Sequence, residues 1–341
     1  MIKLSICIPV YNDHHDLKAL LLKLKQQIKE NNYECYSEII IVDDGSESET
    51  KQNLEKIKSE LEMKNFNLLY NSHNIGLLKT RNKLIENSFG SHIVFIDSGD
   101  TIKQSYIFEI KNAIEEMVAT NSSIAIFGME IKKPYTNKID EILKNHEKTI
   151  KKSNEGLLDY SKQVHFKSHT VTKIINKKMY EDEELYFDEN QNGKFEDARH
   201  VFKWIGSATN ILYIPEVLYV YIKQSSSLSS INNHDLKKEH DLLQAFQIFN
   251  NYIENLNLTY DLKMKILSFY KINTYIDLAH LFKSSECEIY EKQVNGFRKK
   301  IHLKDYCTFY MDSEIKFRRK MQLGYHWYKS VKHTLHMKRI K

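Results

Sequence analysis

Cysteine is scarce in this chain, and the few cysteines are widely spaced. The 341 residues include four cysteines and no C-x-x-C pair, which argues against a structural zinc site and against a disulfide-bonded scaffold. Long apolar runs are missing too: no stretch approaches the roughly 18 apolar residues that span a bilayer, and the apolar start MIKLSICIPV is shorter than a signal-peptide core. We therefore expect the protein to stay in the reducing cytoplasm.

Net charge and helix-breaking residues are also limited. The formal net charge is only +5, with 28% charged and 41% hydrophobic residues. This balance indicates a soluble globular protein with no overall attraction to nucleic acid. Residues 235–341 contain no proline and very little glycine, so we predict a helical region over residues 231–341.

Apolar runs alternate with amphipathic patterns over residues 1–130. The runs cover 6–10, 38–44, 66–70, 92–97 and 124–129, and the helical patterns cover 16–30, 50–63, 77–88 and 105–119. Near-continuous apolar strands separated by helices indicate a mostly parallel sheet covered on both faces. The polar residues 131–165 read as a connection over the surface, and Pro215 predicts a turn between two β-rich runs within 211–222.

Polar motifs lie at the ends of these strands, where ligands bind in such sheets. They are PVYN (9–12), VDDGS (42–46), NIGLLKTRN (74–82) and FIDSGD (95–100). By itself, VDDGS is either a helix entry capped by Ser46 or Ser48 or a carboxylate site for a base or ribose. Arg81 either pairs with a nearby aspartate or grips a pyrophosphate with its rigid fork of donors.

The FIDSGD motif also has two interpretations. Asp97 and Asp100 occupy positions i and i+3 of a turn, which brings their Cα atoms within about 7 Å. They either share a divalent metal ion or simply make the turn, since Asp followed by Gly at this spacing is ordinary turn chemistry.

The four motifs occur in one order, each at the end of a strand. In this order they resemble the motifs of the inverting family-2 glycosyltransferases with the GT-A fold, which make bacterial polysaccharides and surface glycans. The resemblance covers residues 1–130 well and continues more loosely to about residue 230. It implies an α/β fold with a nucleotide-binding sheet flanked by helices. The catalytic domain would span 1–230, with a nucleotide-binding half (1–130) and an acceptor half (131–230), before the helical region 231–341.

The resemblance also implies a reaction and the residues that bind the donor. A hexosyl or N-acetylhexosaminyl group would move from a nucleotide sugar, UDP-linked, to a glycan or lipid-linked acceptor. Asp44, with Asp43 beside it, matches the carboxylate that recognises uracil, and Arg81 matches a basic residue near the base and phosphates. The implied nucleotide-binding set is Pro9, Val10, Tyr11, Asn12, Asp43, Asp44, Asn74, Gly76, Arg81, Asp97 and Ser98.

Asp197, in KFEDARHVF, matches the aspartate that acts as catalytic base in this family. An inverting displacement needs one carboxylate to take the acceptor proton and positive charge for the leaving diphosphate. The alternative is that Glu196 or Asp197 complements a helix dipole. Residues 221–230 match the family's flexible segment that closes over the donor.

One departure from the family pattern concerns the metal. Gly99 stands where the family usually has its main metal-binding aspartate, and glycine offers only backbone oxygen. The sequence predicts Mn²⁺ or Mg²⁺ held by Asp100, with Asp97 as a second ligand. The alternative is a non-catalytic partner subunit that binds nucleotide sugar and has lost its metal aspartate. A dinucleotide-binding oxidoreductase fits poorly, because IPVYNDHHD lacks a G-x-G-x-x-G.

The end of the chain is strongly basic. Residues 314–341 contain nine lysines or arginines against the single acidic residue Glu314. Apolar side chains recur there in steps of three and four, which is typical of one helical face. Such a helix either binds an anionic surface at the inner face of the plasma membrane or packs on the protein with its charges in solvent.

Overall fold

The computed structural model describes most of the chain. The described residues are 1–13, 16–133, 138–191, 193, 195–223, 236–281, 294, 296–315 and 319–325. The strands are β1 (Leu4–Val10), β2 (Ser37–Asp43), β3 (Phe66–Tyr70), β4 (His92–Phe95), β5 (Thr101–Ile102), β6 (Ile124–Lys132), β7 (Ile139–Leu143), β8 (Thr149–Lys151), β9 (Lys173–Asn176) and β10 (Ile211–Ile222).

Helices connect these strands in the first two thirds of the chain and dominate the described part of the last third. They are α1 (Leu17–Glu30), α2 (Ser48–Leu61), α3 (Leu77–Glu86), α4 (Tyr106–Ala119), α5 (Ser153–Lys162), α6 (Val164–Lys167), α7 (Val201–Ser207), α8 (Leu236–Asn255), α9 (Tyr260–Leu281) and α10 (Leu303–Met311). None of the helices in the described part of the chain is both long and apolar enough to cross a membrane.

A mixed sheet forms the centre of the fold. Its order is β3-β2-β1-β4-β9-β6-β10-β5, with β7 paired to β6 and β8 paired to β10. Neighbours β3, β2, β1 and β4 are parallel, as are β6 and β10, while β9 runs antiparallel to both β4 and β6. Every residue of β1 and β2 is buried, as expected for strands covered on both faces. The predicted α/β fold is confirmed.

Helix α1 illustrates how the sequence pattern becomes packing. Its leucines recur in steps of three and four, which places them on one face of a helix. Leu17, Leu20, Leu21, Leu24 and Ile28 are all buried. Each contributes roughly 1.5–3 kcal/mol through removal of its side chain from water. The burial of this face therefore stabilises the packing of α1 in the fold.

Two predictions about connecting structure are wrong. Residues 131–165 contain β7, β8 and α5 rather than an irregular connection. Four of the five β7 residues are exposed, so this strand lacks the apolar pattern that would have marked it. Pro215 lies inside the single strand β10, where the register with β6 shifts between Tyr213 and Val217. A bulge there accommodates proline, which cannot donate to a strand ladder.

The chain folds into two compact units, and neither is continuous in sequence. The first contains Met1–Gly156, His165–Asn192 and His200–Ser230, and it includes the sheet. The second contains Leu157–Val164, Gly193–Arg199 and Ile231–Lys341. Its described core includes Phe269, Ile272, Tyr275, Ile276 and Phe309. The division at residue 230 remains a prediction.

Candidate active site

The loops after β1 and β2 are joined by hydrogen bonds. The Asn12 backbone N–H donates to Ser46 Oγ at 2.9 Å, and the Glu47 N–H donates to Asn12 Oδ1 at 2.9 Å. The predicted serine cap is therefore wrong: α2 begins at Ser48 with no side-chain cap, and the Ser46 hydroxyl accepts from Asn12. Pro9 and Val10 are buried in β1, whereas Tyr11 is half exposed beyond its end.

Asp44 organises the loop that leads into α3. One carboxylate oxygen accepts from Asn71 Nδ2 and Ile75 N, both at 2.9 Å, and the other accepts from Gly76 N at 3.0 Å. The Gly76 N–H also lies 3.0 Å from Asn74 Oδ1. Asp44 thus satisfies the backbone of this loop from a buried position. Its predicted contact with uracil remains a prediction.

Asp43 and Gly45 complete the turn after β2. Asp43 Oδ2 accepts from Ser46 N at 3.2 Å, and within the described residues its buried Oδ1 has no hydrogen-bond partner. Gly45 has φ +73°, and a β-carbon there would lie 2.2 Å from the His73 carbonyl carbon. Only glycine therefore lets the loops after β2 and β3 approach so closely.

Arg81 lies under the turn that follows β4. Its side chain is buried, and Nη2 lies 3.2 Å from Asp97 Oδ1. The guanidinium also stacks near two rings, 5.8 Å from the centroid of Phe95 and 5.6 Å from that of Phe187. The expected aspartate partner of Arg81 is therefore Asp97. The Asp97 side chain is 42% exposed, whereas that of Arg81 is buried. Asp97 is therefore the member of the pair that solvent or a ligand can reach.

The turn between Asp97 and Asp100 is closed by backbone and side-chain bonds. The Asp100 N–H donates to the Asp97 carbonyl at 3.1 Å. The Tyr219 hydroxyl donates to Asp100 Oδ2 at 2.6 Å, and the Ile222 N–H donates to Asp100 Oδ1 at 2.8 Å. Both oxygens of this buried carboxylate thus accept hydrogen bonds from β10.

Three carboxylates gather at this turn. Burial, followed by the charges of Asp97 and Asp13, raises the pKa of Asp100, against the hydrogen bonds from Tyr219 and Ile222. Ser98 Oγ donates to Asp13 Oδ2 at 2.9 Å, which holds Asp13 next to the turn. Neither Asp13 nor Tyr219 was identified from the sequence.

Asp197 lies in the second unit, among the residues that the structure describes. It is the first residue of a 3-10 helix over Asp197–Arg199, and it is partly exposed. Just before it, Glu196 Oε1 accepts from Gly193 N at 2.8 Å. A position at the start of a helical turn is compatible with both a catalytic carboxylate and a dipole-complementing charge.

Comparisons with known proteins agree with this arrangement of strands and loops. A family model described as Glycosyl transferase family 2 matches residues 5–180, which is more than half of the chain. The chain belongs to glycosyl transferase family 2. Both the predicted family and the predicted glycosyltransferase class are confirmed.

Curated relatives align over about a third of the chain. The poly(ribitol-phosphate) β-N-acetylglucosaminyltransferase TarS of Staphylococcus aureus is 32% identical over 117 residues, covering 34% of this chain and 19% of TarS. The glycosyltransferase GlyA of Streptococcus pneumoniae is also 32% identical over 117 residues, covering 34% of this chain and 16% of GlyA. The matched stretch thus spans under a fifth of each relative's length.

Several solved structures share the fold over nearly the whole chain. Residues 1–349 of S. aureus TarS superpose with a TM-score of 0.68 at 18% identity, covering 97% of this chain and 88% of that one. The same TarS fragment in complex with UDP-GlcNAc gives 0.63 at 20% identity, covering 97% and 89%. A mannosyltransferase from Pyrobaculum calidifontis, in complex with GDP-Man and Mn²⁺, gives 0.55 at 11% identity, covering 96% and 87%.

The turn between Asp97 and Asp100 presents carboxylate oxygens to a divalent ion. Among the described residues, no three His, Cys, Asp or Glu side chains are arranged to enclose a metal. An ion that binds with a nucleoside diphosphate needs only one or two protein carboxylates, because phosphates and water supply the other oxygens. The exposed carboxylate of Asp97, with Asp13 and Asp100 nearby, offers oxygen donors of the kind that Mg²⁺ and Mn²⁺ prefer. The residues therefore fit such an ion.

Two of the predicted segments lie largely outside the described residues. Residues 224–230 of the closing segment and residues 316–318 and 326–341 of the basic end are not described. Lys223 is the last described residue before the gap that begins at residue 224. Within 319–325, Arg319 Nη2 lies 2.8 Å from Asp277 Oδ1 in the second unit. The membrane interaction of residues 314–341 remains a prediction.

Proposed function

We propose that this chain is an inverting glycosyltransferase that moves a sugar from a UDP-linked donor to a glycan or lipid-linked acceptor in the synthesis of a bacterial surface polysaccharide. The proposal rests on the convergence of polar loops at one edge of the sheet in the first unit. Three polar loops that follow the parallel strands β1, β2 and β4 meet there through the Asn12–Ser46 and Ser98–Asp13 hydrogen bonds. Arg81 of α3 forms an ion pair with Asp97 in the loop after β4. This is the edge at which such sheets bind ligands.

The donor class follows from the loops and from the relatives. The half-exposed ring of Tyr11 at the end of β1 supports contact with a base, and Asp44 shapes the NIG loop through its hydrogen bonds to Ile75 and Gly76. TarS has been solved with UDP and with UDP-GlcNAc, which supports a UDP-linked hexose or N-acetylhexosamine here.

The reaction is a single displacement at the anomeric carbon. The acceptor oxygen forms a bond to that carbon as the bond to the donor phosphate oxygen breaks. The electron pair leaves with UDP, and Asp197 takes the proton of the acceptor hydroxyl. Asp97 and Asp100 would hold the Mn²⁺ or Mg²⁺ ion. Bound there, such an ion supplies positive charge for the departing diphosphate. Arg81, whose Nη2 lies 3.2 Å from Asp97 Oδ1, orients that carboxylate.

The glycine at position 99 favours a second candidate function. A partner subunit that binds nucleotide sugar without turnover would keep the sheet-edge loops and dispense with the metal aspartate that Gly99 replaces. We propose the cytoplasm as the place of action, where UDP-sugars are made, with the basic end of the chain at the inner membrane face.

The test combines a binding screen with one substitution and a matched control. Thermal shift with UDP-GlcNAc, UDP-glucose and GDP-mannose, each with and without Mn²⁺, reports the base and the metal dependence. UDP release is then measured for Asp197→Asn and for Asp261→Asn, an exposed aspartate in the first turn of α9. We expect Asp197→Asn to lose about 10²–10⁴-fold in rate with unchanged UDP binding, and Asp261→Asn to behave as wild type.

Two outcomes would contradict the proposal in different ways. If the Asp197→Asn variant still releases UDP at the wild-type rate, Asp197 is not the catalytic base. A wild-type protein that binds UDP-sugars but releases no UDP with any acceptor or with water would favour the non-catalytic partner.

A further inference from the structure

The segment that carries Asp197 is fixed to α8 on both of its flanks. After Asp197, Arg199 Nη2 lies 3.1 Å from Asp241 Oδ1 and 3.3 Å from the Asp241 carbonyl oxygen. Before it, a β-carbon built on Gly193 would lie 2.7 Å from Asp241 Oδ2. The side chains of Arg199 and Asp241 are 2% and 6% exposed. One buried carboxylate of the second unit therefore contacts both ends of residues 193–199.

Hydrogen bonds fix the interior of the same segment. The Gly193 N–H donates to Glu196 Oε1 at 2.8 Å, and the Arg199 N–H donates to the Phe195 and Glu196 carbonyls at 3.2 and 3.0 Å. The Tyr160 hydroxyl donates to the Ala198 carbonyl at 3.2 Å. The charge of Asp197 is among the causes that raise the pKa of Tyr160, after burial and Tyr270, so Tyr160 lies within electrostatic range of that carboxylate.

The backbone just before Asp197 is strained. Phe195 has φ +64°, in the left-handed region that bulky side chains rarely adopt. Such conformations persist only where the surroundings over-determine them, and they cluster at functional sites. The Phe195 side chain packs against the core of the second unit, and Lys238 Nζ lies 5.6 Å from its ring centroid.

We propose that Asp241 is a positioning residue that acts through Arg199, and by packing against Gly193, to hold the Asp197 carboxylate in place for proton transfer. This inference rests on the proposed role of Asp197 as the base that takes the acceptor proton. Asp241 and Arg199 act on the orientation of Asp197 rather than on substrate. Orientation matters because a displacement of about 1 Å at a reacting group costs on the order of 10²-fold in rate.

The test compares two buried aspartates of the second unit. Asp305 is fully buried and lies 3.3 Å from Lys271 Nζ. Its hydrogen-bond partners in the described part of the chain are Ser268, Lys271 and His302, which all lie outside residues 193–199, so Asp305→Asn is a matched control for Asp241→Asn. We expect both variants to lose stability. UDP release from UDP-GlcNAc, with poly(ribitol phosphate) and with water as acceptors, should fall at least tenfold per folded molecule in Asp241→Asn alone. Its KM for UDP-GlcNAc and its affinity for UDP should stay at the wild-type values.

A double-mutant cycle separates positioning from a general loss of structure. In an Asp197→Asn background, Asp241→Asn should cause no further fall in rate, because there is no base left to orient. An equal fall in both backgrounds would overturn the proposal. So would a rate for Asp241→Asn that matches the rate of Asp305→Asn.

Crystal structures of the two variants give a readout that does not depend on turnover. Asp241→Asn should displace the carboxylate of Asp197, and Asp305→Asn should leave it in place. An Asp197 position unchanged by Asp241→Asn would contradict the inference. Full activity in Asp197→Asn would instead refute the proposed base, which is a distinguishable result.

Discussion

The hydroxyl of Tyr219 lies 2.6 Å from Asp100 Oδ2, although the two residues are 119 positions apart in sequence. The same hydroxyl accepts the Asp97 N–H at 3.1 Å. One side chain of β10 therefore fixes both ends of the turn after β4. This relationship makes Tyr219 the structural support of the carboxylates proposed to bind the metal.

Replacing Tyr219 by phenylalanine should destabilise the protein. Oδ2 of the buried Asp100 carboxylate loses its donor, while Oδ1 keeps the Ile222 N–H. An unsatisfied buried polar atom costs about 1–3 kcal/mol. Urea unfolding measures the change in the free energy of unfolding. Tyr70→Phe is the control, because the Tyr70 hydroxyl makes a single exposed bond to Glu55 at 2.7 Å. Equal losses in the two variants would show that the turn does not depend on Tyr219.

Asp97→Asn should remove the effect of Mn²⁺ on UDP binding. Asp97 is the exposed member of the carboxylate group at the turn, and an amide oxygen is a much weaker ligand for a hard cation. Calorimetry of UDP binding with and without Mn²⁺ should show an enhancement of tenfold or more in wild type and none in the variant. Asp100→Asn is measured in parallel. If Mn²⁺ enhances UDP binding equally in wild type and both variants, the metal assignment is wrong and the family assignment stands.

Asp44→Asn should disorganise the loop that enters α3. The Asp44 carboxylate accepts from Asn71, Ile75 and Gly76, and an amide cannot accept with both of its heavy atoms. The loss should be about 1.5–3 kcal/mol of unfolding free energy, since these are hydrogen bonds to a charged group. UDP affinity should fall as well, whereas Glu55→Gln, at an exposed position of α2, should change neither quantity. A stable Asp44→Asn protein with full UDP affinity would contradict the structural role of Asp44.

His92 should make the protein less stable in mild acid. Burial lowers the pKa of His92 to about 4 from 6.5, so the folded state stays neutral while the unfolded state takes up a proton. The free energy of unfolding therefore has its full value above pH 6.5. It falls by about 3 kcal/mol in total as the pH drops toward 4. Urea unfolding between pH 7.5 and 4.5 should show a smaller loss in His92→Gln than in wild type. Parallel pH profiles would exclude His92 as the cause.

The local part of the fold could be predicted from the sequence, because it depends on neighbouring residues. Buried parallel strands such as β1 carry nearly continuous apolar runs, and α1 repeats its leucines in helical steps. Strand β7 lacked that signal, since most of its residues face solvent. Its existence depends on the pairing of Met129 with Leu143, which is a tertiary contact.

The same distinction holds for the site. Arg81 and the carboxylates after β4 could be found because each motif is contiguous. Tyr219 and Asp13 could not, since their roles depend on sheet order and on a loop crossing that no short pattern encodes. The sequence also could not tell that Asp44 would turn its carboxylate toward the NIG loop, where it accepts backbone N–H groups.

The interleaved layout of the second unit limits how this protein can be shortened. Residues 157–164 and 193–199 belong to that unit together with 231–341. A chain that stops at residue 230 would retain Asp197 and Arg199 but would lack Asp241, along with the helices whose core Phe195 packs against. Deletion of the last third would therefore be a poor way to isolate a minimal enzyme, because it strips the support from a segment that lies well inside the remaining sequence.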